Sequence, residues 1–215
     1  MMEEGIHGLL TPENCVLVLI DYQPQMMFAV ENIDGQTLIN NAVALAKTAK
    51  LFGVPIIPTT VSSETFSGPM FEQLQEVFPD IEPIDRTSMN SWEDKRVVNA
   101  IEGTGRKKLL LGGLWTEVCV VFPAISALED GYEVYVAADA CGDITDLAHD
   151  MAMERMIQAG AVPMNAMQFL YELQRDWERH DTVAGVVDII KKHQAPFGVG
   201  MSYFTAVRER ARQED

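Results

Sequence analysis

Residues 109–120 are Leu109-Leu110-Leu111-Gly112-Gly113-Leu114-Trp115-Thr116-Glu117-Val118-Cys119-Val120. The apolar run is long enough for a buried strand, and it ends in two glycines. After a short polar turn, apolar residues recur at helical spacing from Val120 to Leu128. Cys119 is therefore expected in the first turn of a helix, where unpaired backbone N–H groups and the helix dipole favour a thiolate. Such a position lowers a thiol pKa from about 8.5 and makes Cys119 a candidate nucleophile.

The alternative interpretation of Cys119 is a small buried residue, which is the usual state of a free cysteine. The other two cysteines, Cys15 and Cys141, are far away in sequence, and the spacing fits neither a disulfide framework nor a paired metal-binding motif. Residues 1–5 are acidic and contain no apolar core of signal-peptide length. We therefore expect a reducing cytoplasmic location, in which a catalytic thiol stays available.

Size and charge limit the classes of partner. The 215 residues fit one α/β domain, since such domains commonly reach about 200–250 residues. The net charge of −16 argues against binding to nucleic acid or to an anionic membrane surface, because both require clustered positive charge. No apolar run approaches the roughly 20 residues of a membrane span. A small-molecule substrate is the partner that these observations leave.

Apolar runs and helical patterns alternate along the chain. Strands are predicted at 15–20, 54–60, 107–111, 133–138 and 161–164, and helices at 37–52, 70–77, 95–102, 119–130, 147–159, 165–177 and 183–193. Two prolines, Pro55 and Pro58, suggest that the second strand is interrupted or lies at an edge. The alternation predicts an α/β fold with a mainly parallel sheet and helices on both faces.

Ligands of an open parallel sheet bind at the carboxyl ends of its strands. Asp21, Cys119 and Asp139 follow predicted strands, although an aspartate at such a position can also cap a helix. No phosphate-binding glycine motif follows the first strand, so nucleotide binding lacks its usual support. The histidines are scattered, and His149, the best placed of them, is expected on a helix surface. If Cys119 is the nucleophile, its base is then expected to be a carboxylate.

These residues together resemble the isochorismatase-like cysteine hydrolases. The resemblance covers about residues 14–177 and is specific at 18–23, at 112–120 and at 131–140. Within that superfamily, residues 86–92 and 122–127 are most similar to the YcaC-like hydrolases. The resemblance implies a three-layer α/β/α sandwich. The expected domain spans 1–215, with a C-terminal helical extension from about residue 178.

The resemblance also implies a catalytic triad of a cysteine, an aspartate and a cation. Cys119 and Asp21 match directly, and Arg86 occupies the matching stretch where most of the superfamily has a lysine. Lys95 is the alternative cation. A cis peptide bond is implied between Leu114 and Trp115, which would aim the backbone N–H groups of Trp115 and Cys119 at an oxyanion.

The substrate pocket is expected to be narrow and apolar. Its predicted lining is aromatic and consists of Phe28, Phe66, Trp92 and Trp115, although Phe28 and Phe66 fit core or subunit packing equally well. The superfamily's nicotinamidases carry a metal site after the second strand, and residues 59–65 here contain no histidine. We therefore expect neither a metal nor another cofactor.

The expected activity is hydrolysis of a C–N bond in a small amide-like substrate, through a covalent thioester. The alternative is a non-catalytic ligand-binding or assembly protein with a redox-sensitive cysteine. Isochorismate hydrolysis ranks last, because no basic cluster is available to hold its two carboxylates. The YcaC-like resemblance further implies a homo-oligomer, for which an octamer is one candidate.

Overall fold

The computed structural model describes residues 8–214 of the chain. Its strands are β1 (Cys15–Ile20), β2 (Ile56–Val61), β3 (Ile84–Arg86), β4 (Lys108–Leu114), β5 (Glu133–Gly142) and β6 (Val162–Met164). Its α-helices are α1 (Pro24–Met27), α2 (Gly35–Phe52), α3 (Glu72–Gln75), α4 (Lys95–Glu102), α5 (Val121–Glu129), α6 (Asp146–Ala159), α7 (Ala166–Gln174), α8 (His180–His193) and α9 (Ala195–Glu214). Shorter helical turns cover Ser63–Ser67, Ser91–Glu93 and Thr116–Val120.

The described strands form one parallel sheet in the order β3-β2-β1-β4-β5-β6, flanked by helices. Every residue of β1 and β4 is buried, which explains why both read as continuous apolar runs in the sequence. Gly53 ends α2 and Gly160 ends α6, each with the positive φ that glycine adopts without a Cβ clash. The α/β fold predicted from the alternation of elements is confirmed.

The chain divides into two compact units, Met1–Leu173 and Gln174–Asp215. The first unit contains the whole sheet and a single hydrophobic core. The second unit contains α8 and α9, which pack against each other. No helix in the described part of the chain is long and apolar enough to cross a bilayer.

The prediction of edge character for the second strand is wrong. β2 lies inside the sheet, and the short strand β3, which the sequence pattern did not reveal, forms the edge. β3 pairs with Thr59, Thr60 and Val61, the residues that follow Pro58. The amide hydrogen that Pro58 lacks is therefore not needed for pairing, and an interior strand tolerates this proline.

Other differences concern the ends of elements. β5 continues to Gly142, so Asp139 lies within the strand and not after it. The carboxylate of Asp139 accepts a hydrogen bond from the backbone N–H of Ala166 at 2.8 Å, which caps the start of α7. The predicted helix at 119–130 is divided into the Thr116–Val120 turn and α5. The 116–120 turn places Cys119 directly beyond the end of β4.

The two glycines near the end of β4 let it lie close to β1. A Cβ atom on Gly113 would lie 2.5 Å from the backbone oxygen of Ile20, a contact that no real Cβ makes. A Cβ atom on Gly112 would lie 2.8 Å from the hydroxyl of Tyr22. Because these glycines lack a Cβ, the ends of β1 and β4 stay adjacent where the order of the strands reverses.

Candidate active site

The sheet brings the candidate residues to one place. β1 and β4 are neighbours at the point where the strand order reverses, which is where open parallel sheets bind their ligands. Asp21 follows β1 directly, and Cys119 lies in the turn that follows β4. Arg86 is the last residue of β3, so its side chain also starts from the carboxyl end of a strand.

Asp21 occupies an unusual backbone conformation. Its φ of 56° lies in the left-handed region, which aspartate tolerates better than most residues. The side chain is fully buried, with one carboxylate oxygen 2.7 Å from a guanidinium nitrogen of Arg86 and the other 3.2 Å from the hydroxyl of Thr59. The left-handed backbone of Asp21 and these two contacts thus hold its carboxylate in a fixed position directly after β1.

Arg86 is the cation that the structure brings to Asp21. Its side chain is fully buried, and a second guanidinium nitrogen donates to the backbone oxygen of Ser88. Its Nε has no hydrogen-bond partner within the described chain. Lys95, the alternative cation, is exposed at the start of α4. Of the two candidates, Arg86 therefore forms the buried ion pair.

Cys119 is only 4% exposed, and its thiol is hydrogen-bonded to Asp21. Burial, followed by the negative charge of Asp21, raises the pKa of Cys119 to about 12, although Arg86 and the backbone of Trp115 act in the opposite direction. The expectation of a lowered thiol pKa is therefore wrong for the resting protein. The cost of placing a charge in this buried site outweighs the helix-terminus effect.

The pKa of Asp21 is also raised, first by burial, while the charge of Arg86 and hydrogen bonds from Cys119, Arg86 and Thr59 oppose that shift. Two interacting groups of this kind exchange protons as a pair. The hydrogen bond between them is satisfied by a protonated thiol that donates to the Asp21 carboxylate. Asp21 is thus placed to receive the proton when the sulfur reacts.

The turn before Cys119 has the geometry that the resemblance implies. The peptide bond between Leu114 and Trp115 is cis. The backbone of Trp115 forms a hydrogen bond to the Cys119 sulfur, and its indole N–H donates to the backbone oxygen of Met26 at 2.8 Å. These contacts fix the direction of the backbone amide of Trp115 toward the reactive sulfur.

The four predicted pocket aromatics lie in different surroundings. Trp115 is half-buried beside Cys119, whereas Phe28 and Phe66 follow the ends of β1 and β2 and are 83% and 64% exposed. Trp92 instead donates to the carboxylate of Asp130, just beyond α5, at 2.6 Å and packs edge-on against Tyr132. The structure therefore brings Trp115 to the cysteine and does not bring Trp92 there.

The family model described as Isochorismatase domain matches residues 15–168, which include Asp21, Arg86 and Cys119. The chain belongs to the isochorismatase family of hydrolases.

Proteins named YcaC are among the similar members of the isochorismatase family. The probable hydrolase YcaC of Escherichia coli strain K12 is 34% identical over 203 residues, covering 94% of this chain and 97% of that protein. The structure of YcaC from Pseudomonas aeruginosa with hexane-2,5-diol and covalent acrylamide gives a TM-score of 0.88 at 33% identity, covering 93% of this chain and 98% of that one. The Escherichia coli YcaC structure is described as an octameric hydrolase of unknown specificity. It gives a TM-score of 0.88 at 34% identity, with coverages of 93% and 97%. The predicted YcaC-like resemblance and fold are confirmed.

Thr59 is a site residue of this isochorismatase-family chain that the sequence analysis missed. It is fully buried in β2, pairs with Ile20 in the sheet, and accepts the backbone N–H of Asp21 through its carbonyl oxygen at 3.0 Å. Its hydroxyl donates to the Asp21 carboxylate. A polar residue within an apolar strand next to the candidate base was the available signal. Its interpretation required the register between β1 and β2.

Within residues 8–214, no group of three or more histidine, cysteine or acidic side chains is placed to hold a metal ion. His149 is half-buried on α6. One of its ring nitrogens lies 2.9 Å from the hydroxyl of Thr116, the first residue of the 116–120 turn. The expected surface position of His149 is therefore wrong, because α6 packs against that turn.

Proposed function

We propose that this chain is a cysteine hydrolase that cleaves a C–N bond of a small amide-like substrate through a thioester. Cys119 is the nucleophile, Asp21 the general base and acid, and Arg86 the electrostatic partner of Asp21. The observation that carries the proposal is the buried cluster of thiol, carboxylate and guanidinium at the ends of β1, β4 and β3. A nucleophile in contact with a base, and a base oriented by a third group, is the usual arrangement of covalent catalysis.

The first half of the reaction forms the thioester. Asp21 takes the thiol proton while the Cys119 sulfur attacks the carbonyl carbon of the amide. The negative charge moves to the carbonyl oxygen, where the backbone N–H groups of Trp115 and Cys119 stabilise it. As the carbonyl re-forms, the C–N bond breaks. The leaving nitrogen takes the proton from Asp21 and departs as an amine or ammonia.

The second half of the reaction returns the enzyme to its starting state. Asp21 accepts a proton from water while the water oxygen attacks the thioester carbon. Collapse of this second intermediate breaks the C–S bond, and the proton on Asp21 returns to the sulfur. The products are a carboxylic acid and the free thiol of Cys119, so the overall change is the addition of one water across the C–N bond.

Arg86 supports these steps through its charge. An arginine stays protonated at every accessible pH, so it does not transfer protons in this reaction. Its guanidinium lowers the cost of an ionised Asp21 in the buried site, which keeps the carboxylate available as a base at neutral pH.

A relative supports the presence of a reactive nucleophile in this fold. YcaC of Pseudomonas aeruginosa is described with covalent acrylamide, a small primary amide. Acrylamide is captured by addition of a nucleophile to its C=C bond, so the adduct supports a reactive nucleophile in a protein of the same fold. The half-buried indole of Trp115, the residue before the 116–120 turn, favours an apolar acyl group.

The non-catalytic alternative has less support. A redox-sensing cysteine reacts as an accessible thiolate. Cys119 is instead buried, and its pKa is raised to about 12. Its hydrogen bond to Asp21 suits a thiol that loses its proton only during an attack.

The test is ammonia release from a panel of small primary amides, measured for the unsubstituted protein and for Cys119→Ser. We expect the substitution to lower the rate by at least about 100-fold, since a weaker nucleophile replaces the thiol. Cys15→Ser is the matched control, because Cys15 is also buried but lies at the start of β1. Equal activity in the Cys119→Ser variant and the control would overturn the proposal.

We further propose that the chain forms a homo-oligomer. The related YcaC structure from Escherichia coli is described as octameric. In this chain, large exposed apolar side chains follow the carboxyl ends of three strands, namely Phe28, Phe66 and Met89. Contact with other copies would remove this apolar surface from water.

A further inference from the structure

The 116–120 turn is fixed from the side of β5 and α6 as well as from β4. The hydroxyl of Thr116 lies 3.2 Å from the backbone oxygen of Gly142 and 2.9 Å from Nδ1 of His149. The next residue, Glu117, donates its backbone N–H to the carboxylate of Asp143 at 2.8 Å. Two successive residues of the turn that carries Cys119 are thus held by polar contacts outside the triad.

The chemistry of the Thr116 hydroxyl decides the direction of these bonds. A hydroxyl has one hydrogen to donate, and the carbonyl oxygen of Gly142 only accepts. Both contacts are satisfied when Thr116 donates to Gly142 and accepts an N–H from Nδ1 of His149. Hydrogen positions of this kind are assigned from the network of partners. The neutral imidazole with its hydrogen on Nδ1 meets the requirement, and burial lowers the pKa of His149, which favours the neutral form.

The contact between Glu117 and Asp143 ties the turn to a residue that is itself held on several sides. Asp143 is fully buried, and its other carboxylate oxygen accepts the N–H of Ile144 at 2.8 Å. Its own backbone N–H donates to the side chain of Asn32 at 2.6 Å, and its carbonyl accepts from Glu31 at 2.9 Å. Asp143 therefore anchors one end of the turn, and the Thr116–His149 pair adds a second anchor from a separate helix.

We propose that His149 is a positioning residue for the hydrolase, acting through Thr116 to set where the 116–120 turn holds Cys119 relative to Asp21. This inference rests on the proposed function and extends it to a residue outside the triad. His149 touches neither Cys119 nor Asp21 in the structure. Its effect is to place the thiol, so that the proton passes to Asp21 along the hydrogen bond between them.

The experiment compares the rate at which iodoacetamide modifies Cys119 in variants of the full chain. His149→Leu removes the donor to Thr116, whereas His149→Asn keeps an N–H near the position of Nδ1. We expect His149→Leu to slow the reaction at pH 7 by about tenfold to 100-fold, because small displacements of reacting groups have effects of that size. His149→Asn is expected to restore most of the rate. Thermal unfolding of each variant shows that it is folded.

Two further readouts separate positioning from general damage. The rate in His149→Leu is expected to acquire a strong dependence on pH, because the thiol no longer transfers its proton efficiently to Asp21. Adding His149→Leu to Thr116→Val is expected to cause no further loss, since both remove the same contact.

Three results would rule out the role of His149. Equal rates in His149→Leu and the unsubstituted protein, equal losses in His149→Leu and His149→Asn, or fully additive losses in the double variant would each overturn the role of His149. If Cys119 of the unsubstituted protein reacts no faster than Cys15 and Cys141, the proposed function fails, and the inference about His149 fails with it.

Discussion

Cys119 and Asp21 share one proton in a site that neither residue could occupy alone at low cost. Burial opposes charge on both, and the pKa of each is raised above its usual value. Arg86 offsets part of that cost for Asp21 through an ion pair at 2.7 Å. These three side chains are neutral overall when the thiol is protonated and the carboxylate is ionised, which suits a site of low polarity.

Substitution of Arg86 tests its electrostatic role. Asp21 accepts a proton only while it is ionised, so the reaction of Cys119 is expected to slow as the pH falls through the pKa of Asp21. Burial raises the pKa of Asp21 above its usual value of 3.8, and the positive charge of Arg86 opposes that rise. Arg86→Gln should move the loss of reactivity to higher pH, whereas Arg86→Lys should leave it near its original position. The measurement is the rate of iodoacetamide modification from pH 4.5 to pH 8.

Arg86→Gln is also expected to destabilise the protein, because removal of one partner of a buried ion pair typically costs about 3–5 kcal/mol. Urea unfolding gives the free energy of unfolding for both variants. An unchanged pH profile in Arg86→Gln would show that its charge does not act on Asp21.

Asp21 and Cys119 could be proposed from the sequence because each comes after a predicted strand and matches a family motif. Arg86 was proposed from the resemblance alone, since it lies in β3, which the sequence pattern did not reveal. The pKa of Cys119 could not be predicted from the sequence. Its position near the start of a helix predicted a lowered pKa, but burial depends on what packs over the sulfur, and the charge beside it comes from Asp21, 98 positions earlier in the chain. The role of Thr59 depended on strand register in the same way.

Of the strands and helices around the site, some were predictable from the sequence and others were not. β1 and α4 have the predicted bounds, Cys15–Ile20 and Lys95–Glu102. The strand predicted at 107–111 continues to Leu114, because Gly112 and Gly113 remain in the sheet. β3 has only three residues and pairs with one neighbour, so no periodicity could reveal it. β5 extends past Asp139 because pairing with β4 resumes at Cys141 and Gly142 after an irregularity in register.

Close packing of β4 on β1 predicts that Gly113→Ala destabilises the fold. The added Cβ would lie 2.5 Å from the backbone oxygen of Ile20, and backbone cannot move aside as a side chain can. Overpacking of this kind typically costs about 1–3 kcal/mol. Gly200→Ala is the control, since a Cβ there meets no atom within 4 Å and alanine favours a helix over glycine.

Urea unfolding of the two glycine variants provides the comparison. The account predicts a lower free energy of unfolding for Gly113→Ala and an unchanged or higher one for Gly200→Ala. An equally stable Gly113→Ala variant would mean that the ends of β1 and β4 can separate without cost, and that the site does not depend on this approach.

The whole molecule combines a strongly acidic charge with exposed apolar side chains near the site. A net charge of −16 keeps copies apart at long range, and salt weakens that repulsion. Phe28, 83% exposed, and Met89, 67% exposed, are unusually accessible for side chains of their size. Burial of such groups between copies stabilises an assembly by roughly 25 cal/mol for each Å² of apolar surface removed from water.

Light scattering coupled to size exclusion tests this expectation. The chain has a mass of 23.9 kDa, and we expect a particle several times larger. Phe28→Ser is expected to weaken the assembly, and the effect should be stronger at low salt, where charge repulsion is less screened. A single species of 23.9 kDa at every salt concentration would contradict the proposed homo-oligomer.

The most direct test of the proposed chemistry is the rate at which iodoacetamide modifies each cysteine between pH 6 and pH 9, with and without Asp21→Asn. In the unsubstituted protein, we predict that Cys119 reacts faster than Cys15 and Cys141, with a much weaker dependence on pH than in Asp21→Asn, because Asp21 accepts its proton. In Asp21→Asn only the thiolate reacts, so the rate should rise by about tenfold per pH unit below the thiol pKa. A Cys119 rate no higher than those of the other two cysteines, or the same profile with and without Asp21→Asn, would contradict the nucleophile–base pair.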